Sequence, residues 1–363
     1  MKASLLPYLS CPECGSGLNL EVFKRKEESI EDGILPCSHC PKKYPVWRGI
    51  PRMVSNDLIP DISLFHKLYP AKLPSSPEKS GPEDLSELKK DTMKSFGDEW
   101  KTWSRFGWDN HSTMEQTVGM FEYKVLVKKG ELNGKLVLDA GCGNGRYTKA
   151  AEMYGGEVIG VDISDAVDAA YENTKNEKKI HIVQGDLFKL PFRKNLFDFI
   201  FSNGVLMHTG DARKAFLSIL SHLKDDGAIT IHLYHKGNFI YEFNDRWLRL
   251  ITTRLPIPLM YKISNIITGF ANLFPKKIAE YGFPLFVHLE RHSHYNFDWY
   301  IAPIATHHTY AEVYGWLKDA GLYLVKDHNI TRHPWRKFIL PFFFLTVKAQ
   351  RKNSGIPPEH TLS

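Results

Sequence analysis

The stretch LDAGCGNGRY, residues 138–147, places glycines at positions 141, 143 and 145, directly behind an apolar run. The residues from Arg146 to Tyr154 have helical spacing, so the glycines lie between a predicted strand and a predicted helix. Glycine has no Cβ, which lets a ligand approach the backbone closely. The stretch therefore predicts an α/β fold with a ligand site at this turn.

The spacing of the glycines separates two kinds of ligand. Rossmann folds that bind dinucleotides carry G-x-G-x-x-G here, because two phosphates need an open helix N-terminus. Gly141, Gly143 and Gly145 instead run G-x-G-x-G. This spacing favours a phosphate-free cofactor such as S-adenosyl-L-methionine, whose amino-acid tail and ribose need close contact with the backbone. A dehydrogenase or a nucleotide-sugar enzyme is the alternative for this fold.

The predicted strands that follow carry polar residues at their ends. EVIGVDIS reaches Asp162 about 20 residues beyond the glycine turn, the offset at which an acid binds ribose hydroxyls. The next strand ends in Asp186 and Leu187, where the carboxylate can accept from an adenine amino group, and the one after it ends in Asn203 and Gly204. Parallel strand ends meet at one sheet edge, so we expect these residues in one site.

The chain resembles class I S-adenosylmethionine-dependent methyltransferases, because VLDAGCGNGRY, GVDIS, QGDLFKLPF, FDFIFSNGVLMH and LKDDGAI occur in that family's order. The resemblance covers residues 96–234 and 305–348 and implies a Rossmann-like sheet with helices on both faces. It implies cofactor contacts from Asp139, Gly141, Gly143 and Gly145 at the methionine tail, Asp162 at the ribose, Asp186 and Leu187 at the adenine, and Asn203 or Gly204 at the amino-acid end.

Four of the five cysteines form two CxxC pairs, Cys11 with Cys14 and Cys37 with Cys40, separated by 22 residues. Two such pairs supply four thiolates to one tetrahedral ion, which is typical of structural zinc. Disulfides and a redox CxxC are the alternatives, and a cytoplasmic setting and the paired spacing disfavour them. The sequence therefore predicts a structural zinc site.

The segment after the second pair, KKYPVWRGIPRMV, resembles the end of small zinc-ribbon proteins that activate tRNA and release-factor methyltransferases. That resemblance covers residues 5–55 and implies a non-catalytic module. Together with a Pro-, Ser-, Lys- and Glu-rich stretch, it predicts a zinc-ribbon domain over 1–57, a linker over 58–94, a methyltransferase domain over 95–350 and a disordered tail over 351–363.

An insertion over residues 235–304 is expected to form a helical cap over the substrate pocket. Apolar residues recur at helical spacing in 239–255 and 263–274, with arginines among them in the first stretch. Ordinary packing against the sheet is one interpretation of these helices. Peripheral contact with a membrane or a lipid through 239–274 is the other.

Methyl transfer from a sulfonium is an in-line displacement, which depends on positioning and, for some acceptors, on a base that takes a proton. Histidine suits such a base near neutral pH. His208 follows the fourth predicted strand and is the first candidate, and His307 or His308 is the second. A structural role stays open for each of the three.

The whole chain has 363 residues and a net charge of +6, which permits an anionic partner without requiring one. Nucleic acid is therefore a possible but not a favoured partner. No apolar run reaches the roughly 20 residues that span a bilayer, and the first ten residues lack a secretory signal. These features predict a cytoplasmic protein without a transmembrane segment.

The leading functional hypothesis is a methyltransferase that modifies an oxygen, nitrogen or carbon atom of a small or lipid-like acceptor. One alternative is a tRNA or rRNA methyltransferase that uses the ribbon to bind RNA. The fourth strand continues as Ser202-Asn203-Gly204-Val205 and lacks the Asn/Asp-Pro-Pro-aromatic turn of enzymes that methylate exocyclic amines. The other alternative is a non-catalytic cofactor-binding scaffold whose ribbon recruits a partner.

Overall fold

The computed structural model describes residues 1–73, 87–109, 112–276, 278, 283, 286–329 and 344–351. The tail predicted over 351–363 lies outside these residues except for its first residue, and residues 74–86 of the predicted linker also lie outside them. Throughout the described ranges the chain forms one mixed sheet flanked by helices.

The strands of the described residues form a single sheet of eleven strands. Their bounds are β1 Glu21–Lys26, β2 Ser29–Pro36, β3 Lys43–Trp47, β4 Ile50–Met53, β5 Leu136–Ala140, β6 Glu157–Asp162, β7 Ile180–Gly185, β8 Phe197–Asn203, β9 Leu223–Tyr234, β10 Leu322–Asp327 and β11 Phe344–Arg351. They lie side by side in the order β1-β2-β3-β4-β7-β6-β5-β8-β9-β11-β10.

The five central strands, β7-β6-β5-β8-β9, are parallel, and β11 enters antiparallel between β9 and β10. Strand order reverses at β5, because β6 lies on one side of it and β8 on the other. Such a switch point leaves a crevice at the carboxyl ends of the strands. The predicted Rossmann-like α/β fold is confirmed.

Helices cover both faces of the sheet and extend beyond its carboxyl edge. Their bounds are α1 Ile62–Leu68, α2 Glu87–Thr102, α3 Met114–Val125, α4 Arg146–Met153, α5 Ala166–Thr174, α6 Ala212–Leu220, α7 Phe239–Thr252, α8 Ile257–Asn272, α9 Ser293–Ile301 and α10 Tyr310–Asp319. The start of α3 is set by a capping box between Thr113 and Gln116, which satisfies two backbone donors. Its Phe121 and Val125 are buried one turn apart and anchor it on the sheet.

The N-terminal strands continue the central sheet rather than forming a separate one. β4 pairs in parallel with β7, and Arg52 on β4 is fully buried beside Gln184. The Arg52 guanidinium donates to Gln184 Oε1 at 3.1 Å and to Asp168 on α5 at 2.5 Å. Burying an arginine requires such partners, so these contacts fix β4 against β7 and α5. The domain boundary at residue 57 stays a prediction, and one core cluster of the described residues contains residues from both sides of it.

The three helices α7, α8 and α9 lie within the insertion predicted over 235–304. α8 and α7 both pack against α9. The interpretation of 239–255 as ordinary core is wrong for its apolar face, because Phe243, Trp247 and Ile251 are exposed. The residues that α7 buries are Tyr241, Asp245 and Arg249.

Candidate active site

A cavity of about 350 Å³ opens at the carboxyl ends of the parallel strands. The loop after β5, the ends of β6 and β8 and the turn after β7 form one half of its wall. The other half comes from α2, α9 and the ends of β9 and β11. The cavity therefore lies at the switch point of the sheet, where this fold binds ligands.

The glycine loop forms the floor of the cavity. Gly141 has φ +97° and Gly143 has φ +51°, so both use backbone conformations that side chains disfavour. A Cβ on Gly141 would lie 2.2 Å from Val205 Cγ2, and one on Gly143 would lie 3.1 Å from Trp100 Cε2. The loop thus exposes bare backbone to the cavity and has no room for side chains.

Asp162 lines the cavity at the end of β6 and is fixed by the glycine loop. One of its oxygens, Oδ2, accepts from the Gly143 amide at 3.1 Å, and Oδ1 accepts from the Ser164 amide at 3.0 Å and hydroxyl at 2.8 Å. Burial raises the pKa of Asp162, and these donors oppose that effect. Oδ2 accepts only one of these hydrogen bonds and keeps a second lone pair, so Asp162 can still accept from a ligand.

The next two strand ends contribute the other predicted residues. Asp186 lines the cavity, and its carboxylate accepts from the Phe188 amide at 2.9 Å. Leu187 lines the wall beside it. Asn203 and Gly204 line the cavity after β8, and the buried Asn203 Oδ1 has no hydrogen-bond partner among the described residues. A buried acceptor without a partner is costly, so this atom is suited to a ligand donor.

Two predicted cofactor residues lie beneath the loop and not on the cavity wall. Gly145 precedes α4 with φ +81° and packs against Ala170, and Asp139 accepts from the Thr148 hydroxyl at 2.7 Å. Burial raises the pKa of Asp139 to about 7. Both residues support the loop from below, and neither lines the cavity.

Helix α2 closes the cavity above the glycine loop. Met93, Phe96 and Trp100 on this helix line the wall. The Arg146 guanidinium lies 5.2 Å from the Trp100 ring centroid and 4.9 Å from that of Phe106, within the range of cation–π contact. The loop, α4 and α2 are therefore held together by one arginine at the start of α4.

The far end of the cavity is aromatic and was not predicted from the sequence. Trp299 on α9 stacks on Tyr234 at 4.1 Å and on His288 at 3.9 Å between ring centroids. Tyr295 and Phe344 complete this part of the wall. Planar rings on several sides suit a flat or apolar ligand.

Asp298 brings a carboxylate into this aromatic end. Burial raises its pKa to about 6, and the nearby cations Arg146, Lys124 and Arg249 oppose the shift. Asp298 lies between Phe297 and Trp299, and no motif in the sequence identifies it as a site residue. A carboxylate that titrates near neutral pH in a cavity is suited to proton transfer.

The three histidines predicted as bases differ in position. His208 lines the cavity, and its Nδ1 donates to the Ile304 carbonyl at 2.6 Å. Burial lowers the pKa of His208 to about 3, so its ring is neutral with Nε2 as the acceptor nitrogen. His307 and His308 do not line the cavity, because their Nδ1 atoms face Glu242 at 2.8 Å and Glu312 at 2.9 Å.

The four cysteines of the two CxxC pairs form a compact cluster. All four Sγ atoms lie within 4.8 Å of one another, with Cys11 and Cys40 at 3.6 Å and Cys14 and Cys37 at 3.5 Å. Tetrahedral zinc with 2.3 Å bonds to sulfur separates its ligands by about 3.8 Å. The cluster therefore has the size of a four-thiolate metal site.

Comparison with protein families and relatives supports the position of the site. Residues 138–231 match the family model described as a methyltransferase domain. The matched segment begins at β5 and ends within β9, so it contains the glycine loop, Asp162, Asp186 and Asn203. The segment that matches the family model therefore supplies the half of the cavity wall that contains the glycine loop.

Individual relatives match only part of the chain. Demethylmenaquinone methyltransferase of Lactococcus lactis is 29% identical over 45% of this chain and 62% of that protein. Malonyl-[acyl-carrier protein] O-methyltransferase of Buchnera aphidicola is 28% identical over 38% of this chain and 53% of that protein. The alignments thus span less than two thirds of either relative.

Among solved structures, magnesium protoporphyrin IX methyltransferase from Synechocystis PCC 6803 with bound SAH is similar over 74% of this chain and all of that chain. It has 19% identity and a TM-score of 0.43.

Proposed function

We propose that this chain is an S-adenosylmethionine-dependent methyltransferase whose acceptor is a small or lipid-like molecule. The single observation that carries the proposal is the cavity floor, where bare glycine backbone, Asp162, Asp186 and the partnerless Asn203 Oδ1 face one space. The family match over 138–231 supports the same activity.

The residues of the cavity fit the proposed cofactor. Among the described residues, the carboxylates that line the wall come from Asp162, Asp186, Glu290 and Asp298, and the cations from Lys124 and Arg146. This balance favours a ligand with net positive charge over one that carries phosphates. Asp162 would accept from the ribose hydroxyls, Asp186 from the adenine amino group and Asn203 Oδ1 from the amino-acid nitrogen.

When bound, the cofactor supplies a methyl group on a positively charged sulfur. The chain contributes position, because the glycine loop and α2 hold the ligand from opposite sides. The aromatic end, with Tyr234 and Trp299, would orient the acceptor and exclude water. The two named relatives are methyltransferases of demethylmenaquinone and of malonyl-[acyl-carrier protein], and a small or lipid-like acceptor suits this aromatic wall.

Asp298 replaces the histidines as the proposed proton acceptor. It lies at the aromatic end, and its raised pKa of about 6 leaves it ionised at neutral pH while keeping it basic enough to take a proton. His208 is the second candidate through Nε2, but its pKa of about 3 makes it a weak base. We therefore propose Asp298 ahead of His208, which was the first candidate from the sequence.

Binding and transfer can be tested separately. Calorimetry with S-adenosylhomocysteine should show one site per chain, whereas NAD and UDP-glucose should not bind. Incubation of cell extract with methyl-labelled S-adenosylmethionine should place label in the lipid or small-metabolite fraction. Label confined to RNA would contradict the proposed acceptor class, and binding without labelling of any fraction would support the scaffold alternative.

We also propose that the cysteine cluster binds one structural zinc ion. Its thiolates are about 3.5–3.6 Å apart in two pairs, and closing them on one ion ties β2, β3 and the N-terminal loop together. Purified protein should contain one equivalent of zinc by mass spectrometry of the metal. Cys37→Ser should lower that content and the unfolding temperature, whereas Cys142→Ser, outside the cluster, should keep the metal.

A further inference from the structure

Helix α7 has its apolar side on the outside of the molecule. Phe239, Phe243, Trp247 and Ile251 recur every four residues and so share one face. Their exposed fractions are 83%, 53%, 55% and 61%. Ile240 and Leu250, at 51% and 42%, widen the same face.

The inner side of α7 is polar and charged. Arg249 Nε donates to Asp245 Oδ2 at 2.8 Å, and both residues are buried. Trp299 Nε1 donates to the other oxygen of Asp245 at 2.7 Å. A helix of a water-soluble domain shows the opposite arrangement, with apolar residues inside and charges outside. The outer face of α7 is therefore built for surroundings other than water.

Helix α8 adds exposed apolar residues beside those of α7. Leu259, Ile266 and Phe270 on this helix are exposed, and Leu273 directly after it is 79% exposed. On its inner side α8 buries Met260 and Ser264, and it packs on α9 through Tyr261, whose ring centroid lies 4.4 Å from that of Phe297. Two consecutive helices thus leave large apolar side chains on the outside of the protein. We name their outer side the α7–α8 face, with Phe239, Ile240, Phe243, Trp247, Leu250, Ile251, Leu259, Ile266, Phe270 and Leu273 as its members.

The charges that accompany the α7–α8 face are positive. The exposed residues Lys236, Arg246, Arg254, Lys262 and Lys276 lie along this segment. The sequence from Lys236 to Lys276 contains two acids, Glu242 and Asp245. Both point inward, since Glu242 accepts from His307 at 2.8 Å and Asp245 is buried beneath α7.

We propose that the α7–α8 face docks on an anionic lipid bilayer, with α7 and α8 lying in the plane of the interface. Aromatic and aliphatic side chains would enter the headgroup region while lysines and arginines contact lipid phosphates. Within the described residues no helix is long and apolar enough to cross a membrane, so the contact is peripheral.

Charge decides between a bilayer and a second copy of this chain. In a symmetric dimer the same patch meets itself, which would bring two rows of cations together, and the exposed residues described between 236 and 276 include no acid to compensate them. A bilayer that contains anionic lipid offers apolar depth and negative charge at once. The observations therefore favour the lipid surface.

The docking surface lies next to the aromatic end of the cavity. Asp245 on α7 fixes Trp299, which lines the cavity, so one helix separates the acceptor end from the α7–α8 face. An α-helix with side chains is about 10 Å across, a distance that a lipid-like acceptor can cover while its tail stays in the bilayer. This delivery step rests on the proposed function, but the docking surface does not.

Vesicle flotation of the full-length protein tests the docking surface. The vesicles are pure phosphatidylcholine, or phosphatidylcholine with about a quarter phosphatidylglycerol. Wild-type protein should float mainly with the anionic vesicles, and Phe243→Ser with Trp247→Ser should lower the bound fraction about tenfold or more. Arg246→Glu with Lys262→Glu should lower it about tenfold on anionic vesicles only.

A matched control removes apolar surface elsewhere. Leu64 and Met153 are also exposed, at 41% and 47%, and lie outside the α7–α8 face. Leu64→Ser with Met153→Ser should float like wild type, and thermal unfolding should show that all variants are folded. Wild-type protein that fails to float on either vesicle, or a face variant that floats equally well, would overturn the proposal.

Two further measurements separate the remaining outcomes. Light scattering that shows a dimer dispersed by Phe243→Ser with Trp247→Ser would assign the face to a second copy and overturn lipid docking. Binding of S-adenosylhomocysteine, measured on the same variants, should be unchanged. Vesicle flotation without binding of S-adenosylhomocysteine would support the docking surface and contradict the proposed function. Binding of S-adenosylhomocysteine without flotation would support the proposed function and contradict the docking surface.

Discussion

The two halves of the cavity are built in different ways. The half that holds the glycine loop is assembled from consecutive strand ends, with Gly141, Asp162, Asp186 and Asn203 arriving in chain order. The aromatic half is assembled from the end of β9, from α9 and from β11, which lie far apart in sequence. The geometry of the parallel sheet thus places the first set, and tertiary packing of the insertion places the second.

The two halves of the cavity are suited to different tasks, the first to cofactor binding and the second to proton transfer. Carboxylates of the first half are held by nearby backbone amides, as Asp162 is by Gly143 and Ser164, and so they are suited to fixed hydrogen bonds. Asp298 in the second half has a pKa raised to about 6 by burial, and so it is suited to exchanging a proton. Substitutions in the first half should weaken cofactor binding, and those in the second should slow transfer.

The largest expected effect follows from Asp298→Asn. Loss of the proton acceptor should lower the rate of methyl transfer by about 10² to 10⁴, while S-adenosylhomocysteine binds as in wild type. Because only the carboxylate form accepts a proton, the wild-type rate should rise with pH through about 6 and then level off, and the variant should lack this rise. The measurement is labelled-methyl transfer to the responsive extract fraction between acidic and neutral pH.

Glu290→Gln is the matched control, because it removes a second carboxylate from the same cavity wall. A general effect of charge would lower the rate equally in both variants and retain the pH dependence. Such a result would remove Asp298 from the proposed mechanism and leave positioning as the source of catalysis.

Gly141→Ala should have the next largest effect, in the other half of the cavity. An alanine at φ +97° is strained, and its Cβ would lie 2.2 Å from Val205, so the loop must move. We expect S-adenosylhomocysteine to bind about 100-fold more weakly in calorimetry, consistent with about 3 kcal/mol of combined strain. Gly119→Ala, where an added Cβ meets no atom within 4 Å, should bind normally. Equal affinity of Gly141→Ala and wild type would mean that the ligand does not contact this loop.

The sequence predicted the first half of the site in detail and the second half poorly. Glycines at a strand-to-helix turn and acids at strand ends are local patterns, so Gly141, Gly143, Asp162, Asp186, Leu187, Asn203 and Gly204 were found, and all line the cavity. Asp139 and Gly145 belong to the same local pattern, but the turn itself covers them. The local sequence pattern therefore identifies the loop, but it does not identify which residues of the loop line the cavity.

The other half depends on which way a helix faces after it packs. Asp298 reaches the cavity because α9 packs against α7 and α8. The spacing of the residues within 293–301 does not indicate which side of this helix faces the cavity. The same limit applies to α7, whose periodicity predicted an amphipathic helix without telling which side faces inward. The buried pair of Asp245 and Arg249 was the available signal, since charges four residues apart on a helix can satisfy each other.

A smaller effect is expected from Asp162→Ala. It removes the acceptor for the proposed ribose hydroxyls and should weaken S-adenosylhomocysteine binding by about 1 to 3 kcal/mol. The Gly143 amide also loses its partner, so part of the change reflects the loop. Ser164→Ala, which removes one hydroxyl donor to Asp162 and no ligand contact proposed here, should have a weaker effect. If the two variants bind equally well in calorimetry, Asp162 acts on the loop and not on the ligand.

The smallest expected effect is a change in stability at acidic pH, and it concerns His208 on the cavity wall. His208 is buried with a pKa of about 3, below its ordinary value of 6.5, so between these values the unfolded chain binds a proton that the folded chain does not. Its contribution to the free energy of unfolding is complete above pH 6.5 and is lost as pH falls through this window, by at most about 1.4 kcal/mol per pH unit. His208→Asn keeps a donor near the Ile304 carbonyl and does not titrate, so the difference between its urea stabilities at pH 7 and pH 5 should be smaller than in wild type.

Burial also lowers the pKa of His222, to about 4, so His222→Asn away from the cavity should show a similar reduction without any change in ligand binding. An unaltered pH dependence in His208→Asn would show that the ring titrates in the folded protein as it does in the unfolded chain, which would contradict a pKa lowered by burial.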